Sequence, residues 1–195
     1  MDEVFFTSDT HFSHDHDFIY AARGFSCVEE MNEAIVERWN AVVHPNDIVY
    51  HLGDVMLGNY DVSILKRLNG KIYLVRGNHD TIKKISDIYE TGKVENYNQT
   101  SELIKFGKLS FFLCHYPVLT ANFDDKHFSL HVFNLHGHTH QRTNWLSPEN
   151  PFMYHVGVDS HDCYPVHIDT IIHEIRMRWN ELGQINVHPD YLKGF

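Results

Sequence analysis

Cysteine is scarce in this chain of 195 residues, which contains three, Cys27, Cys114 and Cys163, far apart and without a CxxC pair. An odd number of widely spaced cysteines does not suit a disulfide framework or a cysteine-ligated zinc site. Long apolar stretches are also missing, because no run approaches the roughly 18 to 20 residues that a membrane-spanning helix needs. We therefore expect neither a disulfide scaffold nor a membrane partner.

Basic residues are few relative to acidic ones, with 16 Lys and Arg against 26 Asp and Glu and a formal net charge of -10. Sequence-independent binding to a nucleic-acid backbone needs clustered Lys and Arg, so we expect none. A nucleotide substrate held through metal ions is not excluded by the acidic balance. The N-terminus, Met1-Asp2-Glu3, is acidic where a signal peptide would be basic, which favours a cytoplasmic protein.

Repeats, low-complexity tracts and Pro/Gly-rich linkers are absent from the sequence as well. Hydrophobic residues make up 43% and charged residues 22%, which is ordinary for a globular protein. A chain of this length fits one domain, so we predict a single domain over residues 1–195. The sequence leaves open whether the protein is a monomer or a small homo-oligomer.

The first half of the chain alternates short apolar runs with amphipathic segments. The apolar runs predict buried strands at residues 4–8, 48–52 and 72–75. The amphipathic segments predict helices at residues 17–22, 28–42, 61–68 and 81–89. In the second of these, Met31, Ile35 and Trp39 repeat every four residues along one face. An alternation of strands and helices is typical of a parallel sheet.

The second half is richer in strands. Residues 103–106 and 109–114 flank Gly107-Lys108 and predict a hairpin. Further strands are predicted at residues 132–136 and 154–158, and a helix begins near Asp169. The expected fold class is α/β, with two packed, mixed sheets, hairpins in the second of them, and helices outside.

Histidine is over-represented, with 17 copies, and many of them stand beside acidic or amide residues just after a predicted strand. The clusters are Asp9-Thr10-His11, Gly53-Asp54, Gly77-Asn78-His79-Asp80, His115 and Gly137-His138-Thr139-His140. Ligands gather at the carboxyl ends of parallel strands, so clusters far apart in sequence can converge there. In extended chain, residues two apart point the same way, which would bring Asp9 beside His11 and His138 beside His140.

The residue types in these clusters favour particular metals. Carboxylate plus imidazole, with little or no thiolate, suits Mn, Fe, Zn or Ni better than a site built for Mg or Ca. About seven candidate ligands are too many for one tetrahedral zinc ion. Two ions bridged by a shared carboxylate would use them all, and ions roughly 3.5 to 4 Å apart support in-line displacement at phosphorus.

The five clusters, in this order over residues 9–140, resemble the signature blocks of the calcineurin-like metallophosphoesterase superfamily. The stretch Asp-Ile-Val-Tyr-His-Leu-Gly-Asp at residues 47–54 further resembles small bacterial and phage members. The resemblance implies a four-layer αββα sandwich of two mixed β-sheets flanked by helices. It also implies a hydrolase that acts on phosphate esters with two divalent ions, of which manganese is favoured and iron, zinc or nickel are alternatives.

The resemblance also implies a role for each matching position. The first ion would be held by Asp9, His11 and His140, the second by Asn78, His115 and His138, and both by a bridging Asp54. A hydroxide between the ions would attack phosphorus. His79 would protonate the leaving alkoxide or hold a phosphate oxygen, and Asp80 would accept a hydrogen bond from the His79 ring. Alternatively, Asp80 only caps the helix that starts near Thr81.

Three residues near the clusters are candidate substrate contacts. His14 could touch substrate or be a solvated loop histidine, and Arg142 could hold a phosphate oxygen or make a surface salt bridge. Tyr116 could form a pocket wall. The polar stretch at residues 120–131 predicts a loop near the site that contributes to specificity.

Three functions follow as alternatives. A phosphodiesterase acting on a nucleotide or a similar small diester is favoured, by analogy with compact relatives that lack a cap. A phosphomonoesterase, including a protein phosphatase, would need extra cations, for which Arg76 and Arg142 are the near candidates. A non-catalytic scaffold of the same fold is disfavoured, because His79 and all the ligand positions are filled by suitable residues.

Overall fold

The computed structural model describes residues 2–120 and 127–183. The strands in these ranges, in chain order, are β1 (Val4–Thr7), β2 (Ile48–His51), β3 (Lys71–Val75), β4 (Val94–Asn98), β5 (Ser101–Phe106), β6 (Leu109–Cys114), β7 (Val132–His136), β8 (Met153–His155) and β9 (Val166–His167). The α-helices are α1 (Asp17–Tyr20), α2 (Val28–Val42), α3 (Ile82–Glu90) and α4 (Ile168–Gly183). Half of the predicted 120–131 loop, residues 121–126, lies outside the described residues.

The first sheet has the strand order β4-β3-β2-β1-β9. Strands β1 to β4 are parallel, as the alternation of strands and helices predicted, and β9 pairs antiparallel with β1. The sequence pattern did not predict β4 or β9. β4 reads Val-Glu-Asn-Tyr-Asn and is mostly polar, and β9 has two residues, too few for a periodicity.

The second sheet has the order β5-β6-β7-β8. Its β5–β6 hairpin is confirmed, with the turn at Gly107-Lys108. The expectation of further hairpins is wrong, because β6, β7 and β8 are parallel to one another. The physical reason is the length of the connections: parallel strands need a crossover, and the segment between β6 and β7 is far longer than a hairpin turn.

Helix α2 spans the predicted residues, whereas the helix expected from Asp61 is a 3-10 helix, Val62–Arg67. The Asp61 carboxylate caps it by accepting a hydrogen bond from the Ser63 backbone N–H at 2.8 Å. A second 3-10 helix, Phe128–Leu130, precedes β7. No helix in the described ranges is long and apolar enough to cross a membrane.

Two hydrophobic clusters hold the layers together. One lies between the first sheet and the helices that cover it, where α2 buries Met31, Ile35 and Trp39. The other joins the two sheets and α4. It contains Phe6, Leu52 and Val75 of the first sheet with Phe111, Leu113, Phe133, Leu135, Ile171 and Ile175. Phe5 belongs to one cluster and Phe6 to the other, because successive side chains of β1 point to opposite faces. The predicted α/β class, with two packed mixed sheets and flanking helices, is confirmed.

The packing of the sheets brings their strand ends together. The loop after β1 is held to the loop after β2 by the Asp9 N–H, which donates to the Gly53 carbonyl at 2.9 Å. The loops after β6 and β7 are joined by the Gly137 N–H, which donates to the His115 carbonyl at 2.9 Å. A parallel bridge pairs Ser8 with Gly157, after β8. All five polar clusters therefore meet at one end of the two sheets.

Candidate metal centre

The candidate ligands sit on an unusual backbone. Five of them have positive φ angles: Asp9 (57°), His11 (48°), Asp54 (56°), His138 (68°) and His140 (49°). A left-handed conformation costs a non-glycine residue about 1–2 kcal/mol, and such strain concentrates at ligand-binding sites. The expectation that Asp9 and His11 lie in extended chain is therefore wrong. Sharp turns, rather than extended strand ends, bring the side chains of the first and last clusters together.

Two glycines allow the close approach of these turns. A Cβ atom on Gly77 would lie 2.2 Å from Asp54 Oδ1, and one on Gly137 would lie 2.3 Å from Asp9 Oδ2. Neither position can carry a side chain without moving a carboxylate of the site. Both glycines directly precede a candidate ligand in the sequence, Asn78 and His138.

Asp9, His11 and His140 form the first half of the site. Asp9 Oδ1 is 4.0 Å from His11 Nε2 and 3.8 Å from His140 Nε2. Asp9 is fully buried, and both ring nitrogens of His11 are buried without a hydrogen-bond partner in the described chain. Buried polar atoms are nearly always satisfied. These three residues therefore fit a metal ion, which would bind the unprotonated ring nitrogen of His11.

Asn78, His115 and His138 form the second half. Asn78 Oδ1 is 2.8 Å from both His115 Nε2 and His138 Nδ1. His115 Nδ1–H donates to the Leu52 carbonyl at 2.7 Å, so in the neutral ring Nε2 carries a lone pair. An amide oxygen and an imidazole lone pair facing each other at this distance are both acceptors. A shared cation satisfies both, so this half also fits a metal ion.

Asp54 lies between the two halves. Its Oδ2 is 3.6 Å from His11 Nε2 and 3.4 Å from His115 Nε2, which belong to the first and second half respectively. Burial alone would raise the pKa of Asp54, but the hydrogen bond and charge of His115 in its protonated form outweigh it and lower the pKa to about 2. Asp54 is thus an ionised carboxylate within reach of both ligand sets.

His79 and Asp80 are placed differently from each other. The His79 backbone N–H donates to Asp54 Oδ1 at 2.8 Å, and its side chain is exposed with its ring centre 5.6 Å from that of His11. The expected hydrogen bond between Asp80 and the His79 ring is not found in the described residues. The Asp80 carboxylate accepts instead from the backbone N–H groups of Asp54, Val55 and Gly77.

Asp80 bonds to the backbone and not to the His79 ring because its carboxylate is fully buried under the loops, where unpaired N–H groups are the nearest donors. The alternative that Asp80 caps α3 is also wrong. The N-cap is Thr81, whose hydroxyl accepts from the Lys84 N–H at 3.3 Å.

The model of the calcineurin-like phosphoesterase superfamily domain matches residues 3–149 of this chain, which include all five clusters. The chain belongs to the calcineurin-like phosphoesterase superfamily. It is accordingly a metal-dependent phosphoric ester hydrolase, as the resemblance implied. The family requires divalent metal ions, and two groups of side chains in the described residues lie close enough together to hold one: Asp9, His11 and His140, and Asp9, Asp54 and His115.

Individual relatives match this chain over most of its length. An uncharacterized protein of Methanocaldococcus jannaschii is 34% identical over 184 residues, covering 88% of this chain and 90% of the relative. The gene 66 protein of Mycobacterium phage D29 is 27% identical over 190 residues, covering 85% and 93%. A protein of unknown function from Aquifex aeolicus has the same fold, with a TM-score of 0.69 at 22% identity, covering 89% of this chain and all of that one.

This calcineurin-like phosphoesterase has two site residues that the sequence analysis missed. Asp159 Oδ2 accepts from His140 Nδ1 at 2.9 Å, and Arg23 pairs with Asp159 at 2.9 Å. Arg23 also donates to the carbonyls of Asp9 at 2.7 Å and Thr10 at 3.1 Å. Asp159 comes directly after the predicted strand 154–158. The same pattern as in the other clusters, a polar residue just after a strand, therefore marks it as a candidate site residue. Arg23 has no such signal.

The Asp159 carboxylate stays ionised despite its burial. Burial alone would raise its pKa, but the hydrogen bond from His140 and the charge of Arg23 outweigh this and hold the pKa well below the usual range. A carboxylate that accepts from Nδ1–H of a histidine fixes the ring and leaves Nε2 free to bind a metal. The Asp159 contact therefore fixes the His140 ring and leaves its Nε2 without a proton.

Of the three candidate substrate contacts, two border the site. The His14 ring centre is 5.3 Å from that of His11, and burial lowers the pKa of His14. The Tyr116 ring is 46% exposed, with its centre 4.6 Å from that of His138. Arg142 instead donates to the Ala22 carbonyl. The surface salt bridge considered as the alternative for Arg142 is not found within the described ranges.

Proposed function

We propose that this phosphoesterase hydrolyses a phosphodiester, with a nucleotide or a similar small diester as substrate, at a centre that holds two divalent ions. Four cationic side chains adjoin the site in the described chain, and each donates to backbone carbonyls: Arg23, Arg76, Lys84 and Arg142. This observation carries the diester proposal. A phosphomonoester carries about 1.5 to 2 negative charges near neutral pH, against one for a diester, and would need a freer cation.

The two-ion proposal is supported by the division of the ligands. Each half of the site has its own set of three side chains, and Asp54 Oδ2 stands between the sets. When bound, divalent ions polarise the phosphoryl group and supply a nucleophile at neutral pH. Manganese remains our proposed ion, since imidazole, carboxylate and amide oxygen donors all suit it.

The residues around the ligands divide the remaining work. His79 has an exposed imidazole beside His11, so it is our proposed donor of a proton to the leaving oxygen. His14 and Tyr116 border the site at His11 and His138, and would contact the substrate from two sides. Asp80 holds the loops that carry Asp54 and Asn78, through backbone N–H groups. We assign it a positioning role in place of the expected contact with His79.

A small polar cavity next to His14 supports a nucleotide-sized substrate. Its volume is about 390 Å³, and its lining includes His14, His16, Asn32 and Asn59. Among the residues that the structure describes, Asp15 and Glu29 line it and no Lys or Arg does. These carboxylates disfavour a second phosphate group and leave hydrogen-bonding positions for an uncharged ring. We further propose that the single domain acts in the cytoplasm, as a monomer or a small homo-oligomer.

The experiment that tests this function is paired. The protein is loaded with Mn²⁺, bound metal is counted, and hydrolysis of bis-p-nitrophenyl phosphate is compared with that of p-nitrophenyl phosphate. We expect two ions per chain and kcat/KM at least about tenfold higher for the diester, a difference of about 1.4 kcal/mol. A preference for the monoester would support a phosphomonoesterase instead. A single bound ion would contradict the two-ion centre.

A further inference from the structure

Lys84 is a buried cation placed between two loops of the site. Only 7% of the residue is exposed. Its Nζ donates to the Met56 carbonyl at 3.0 Å and to the His79 carbonyl at 2.9 Å. The first carbonyl belongs to the loop after β2, which carries Asp54, and the second to the loop after β3, which carries Asn78 and His79. One ammonium group therefore joins the two loops.

Asp80 joins the same loops with the opposite charge. Its carboxylate accepts from the N–H groups of Asp54 at 2.8 Å, Val55 at 3.1 Å and Gly77 at 2.9 Å. The backbone donors of the two loops are thus satisfied by a buried anion and their acceptors by a buried cation, only four residues apart in the chain. Neither role depends on the metal ligands' own side chains.

The peptide groups of His79 are fixed on both sides as a result. Its N–H donates to Asp54 Oδ1 at 2.8 Å, and its carbonyl accepts from Lys84. The imidazole itself is exposed and makes no hydrogen bond in the part of the chain that the structure describes. The His79 carbonyl also accepts from the Thr81 N–H at 3.1 Å. The direction of the ring therefore depends on its backbone, and Lys84 is one of three groups that hold the backbone.

Stability alone does not explain a lysine at this position. Burial lowers the pKa of Lys84, which shows that the charged form is disfavoured by its surroundings. A methionine would fill a similar volume without that desolvation cost. What methionine lacks is a donor for the two carbonyls. The lysine is present despite this desolvation cost. The contacts of its Nζ are with carbonyls of the two loops and with the adjacent Tyr60 ring.

We propose that Lys84 is a positioning residue for His79: its bond to the His79 carbonyl holds the imidazole where it can protonate the leaving group. In that step the oxygen of the nucleophile bonds to phosphorus and the bond from phosphorus to the leaving oxygen breaks. The leaving oxygen keeps the electron pair and takes the proton from the His79 ring. The inference rests on the role proposed for His79 in the function above.

The test compares Lys84→Met with Lys83→Met. Lys83 is the neighbouring residue, is exposed, and pairs with Asp87 at 2.6 Å away from the loops. Each variant, loaded with Mn²⁺, is assayed on bis-p-nitrophenyl phosphate and on diphenyl phosphate, whose leaving group is more basic and depends more on protonation. For Lys84→Met we expect kcat to fall about tenfold or more on diphenyl phosphate and less than about threefold on the nitrophenyl ester. Lys83→Met should match the wild type on both.

A second readout does not involve chemistry. Amide hydrogen exchange in segments 54–57 and 77–80 of the loaded protein should be faster in Lys84→Met and unchanged in Lys83→Met. Equal losses of kcat on the two esters, or unchanged exchange, would overturn the proposal. If Lys84→Met does not fold, Lys84→Arg, which keeps a charge and donors, should show the same unequal losses to a smaller degree, and equal losses would again overturn it.

His79→Ala in the same assays separates this inference from the proposed function. If its losses are the same on both esters, His79 is not the proton donor, and the proposed chemistry of Lys84 fails with it. If His79→Ala discriminates between the esters and Lys84→Met does not, the proposed function stands and the positioning role of Lys84 is overturned.

Discussion

His140 Nδ1 donates to Asp159 Oδ2 at 2.9 Å, and this single bond links the last signature cluster to a residue beyond the matched family segment. Arg23 fixes the far side of Asp159 while bonding the carbonyls of Asp9 and Thr10. One buried ion pair, Arg23 with Asp159, therefore holds both the backbone at Asp9 and Thr10 and the ring of His140. The pair thus connects Asp9 and His140, two of the three proposed ligands of the first half of the site.

The first prediction concerns Asp159. Asp159→Asn should lower the affinity for one of the two ions about 10- to 100-fold, because a partner of a metal-bound histidine typically contributes that much. The other ion, held by Asn78, His115 and His138, should be retained. Titration of the metal-free protein with Mn²⁺ measures both. Asp162→Asn is the matched control, since Asp162 is an exposed partner of Arg38. Unchanged affinity of both ions in Asp159→Asn would contradict the role.

Gly77 provides a second prediction. Gly77→Ala places a Cβ at 2.2 Å from Asp54 Oδ1, so Asp54 or the loop must move. We expect loss of tight metal binding and of most activity. Gly92→Ala is the control, because Gly92 has a φ of 70° but no atom within 4 Å of the added Cβ. It should cost about 1–2 kcal/mol of unfolding free energy and leave metal binding intact. Tight binding of two ions by Gly77→Ala would contradict the close approach.

Local patterns were enough to predict the candidate ligands. Each cluster follows a strand that is visible as an apolar run, and parallel strands end at one edge whatever their separation in sequence. Helix α2 and the β5–β6 hairpin were predictable for the same reason, since a periodicity and a Gly-Lys turn are local signals. These features need no knowledge of the rest of the chain.

The missed features depend on contacts between distant segments. Arg23 and Asp159 are 136 residues apart, and nothing near Arg23 marks it as a partner. The left-handed backbone of Asp9 and His11 arises from a turn against the loop after β2, where the His11 N–H donates to the Asp54 carbonyl at 3.1 Å. The contacts of Asp80 are likewise not visible in the nearby sequence. Its carboxylate accepts from the N–H of Val55, which lies 25 residues earlier in the chain.

A third prediction is a pH dependence away from the site. Burial alone would raise the pKa of Asp47, but its bonds from the backbone N–H groups of His44 and Glu3 outweigh this and lower it. A depressed pKa contributes stability above the unfolded value, about 3.9, and this is lost as the pH falls through the folded value. Asp47→Asn should therefore reduce the unfolding free energy at pH 7 and have a smaller effect near pH 3. Urea unfolding at both pH values measures this, and an equal effect would contradict it.

The fourth prediction separates His79 from the ligands. His79→Ala should keep both ions. In the described chain the His79 ring makes no hydrogen bond to a side chain of either half of the site, and only its backbone N–H donates to Asp54. Turnover of a diester with a basic leaving group should fall about 10²- to 10⁴-fold. His173→Ala, at an exposed position on α4, is the control. Loss of an ion in His79→Ala would show that His79 is a ligand.

The last prediction concerns the carboxylate between the half-sites. Asp54→Asn should release both ions together, because its charged Oδ2 is 3.6 Å from His11 Nε2 and 3.4 Å from His115 Nε2. The amide oxygen of Asn can still accept from the His79 N–H, so the loop should keep its place and the thermal midpoint should fall little. Metal counting after dialysis distinguishes this from Asp159→Asn, which should release mainly one ion. Two tightly bound ions in Asp54→Asn would mean that each half-site is complete without it, and that the carboxylate does not bridge.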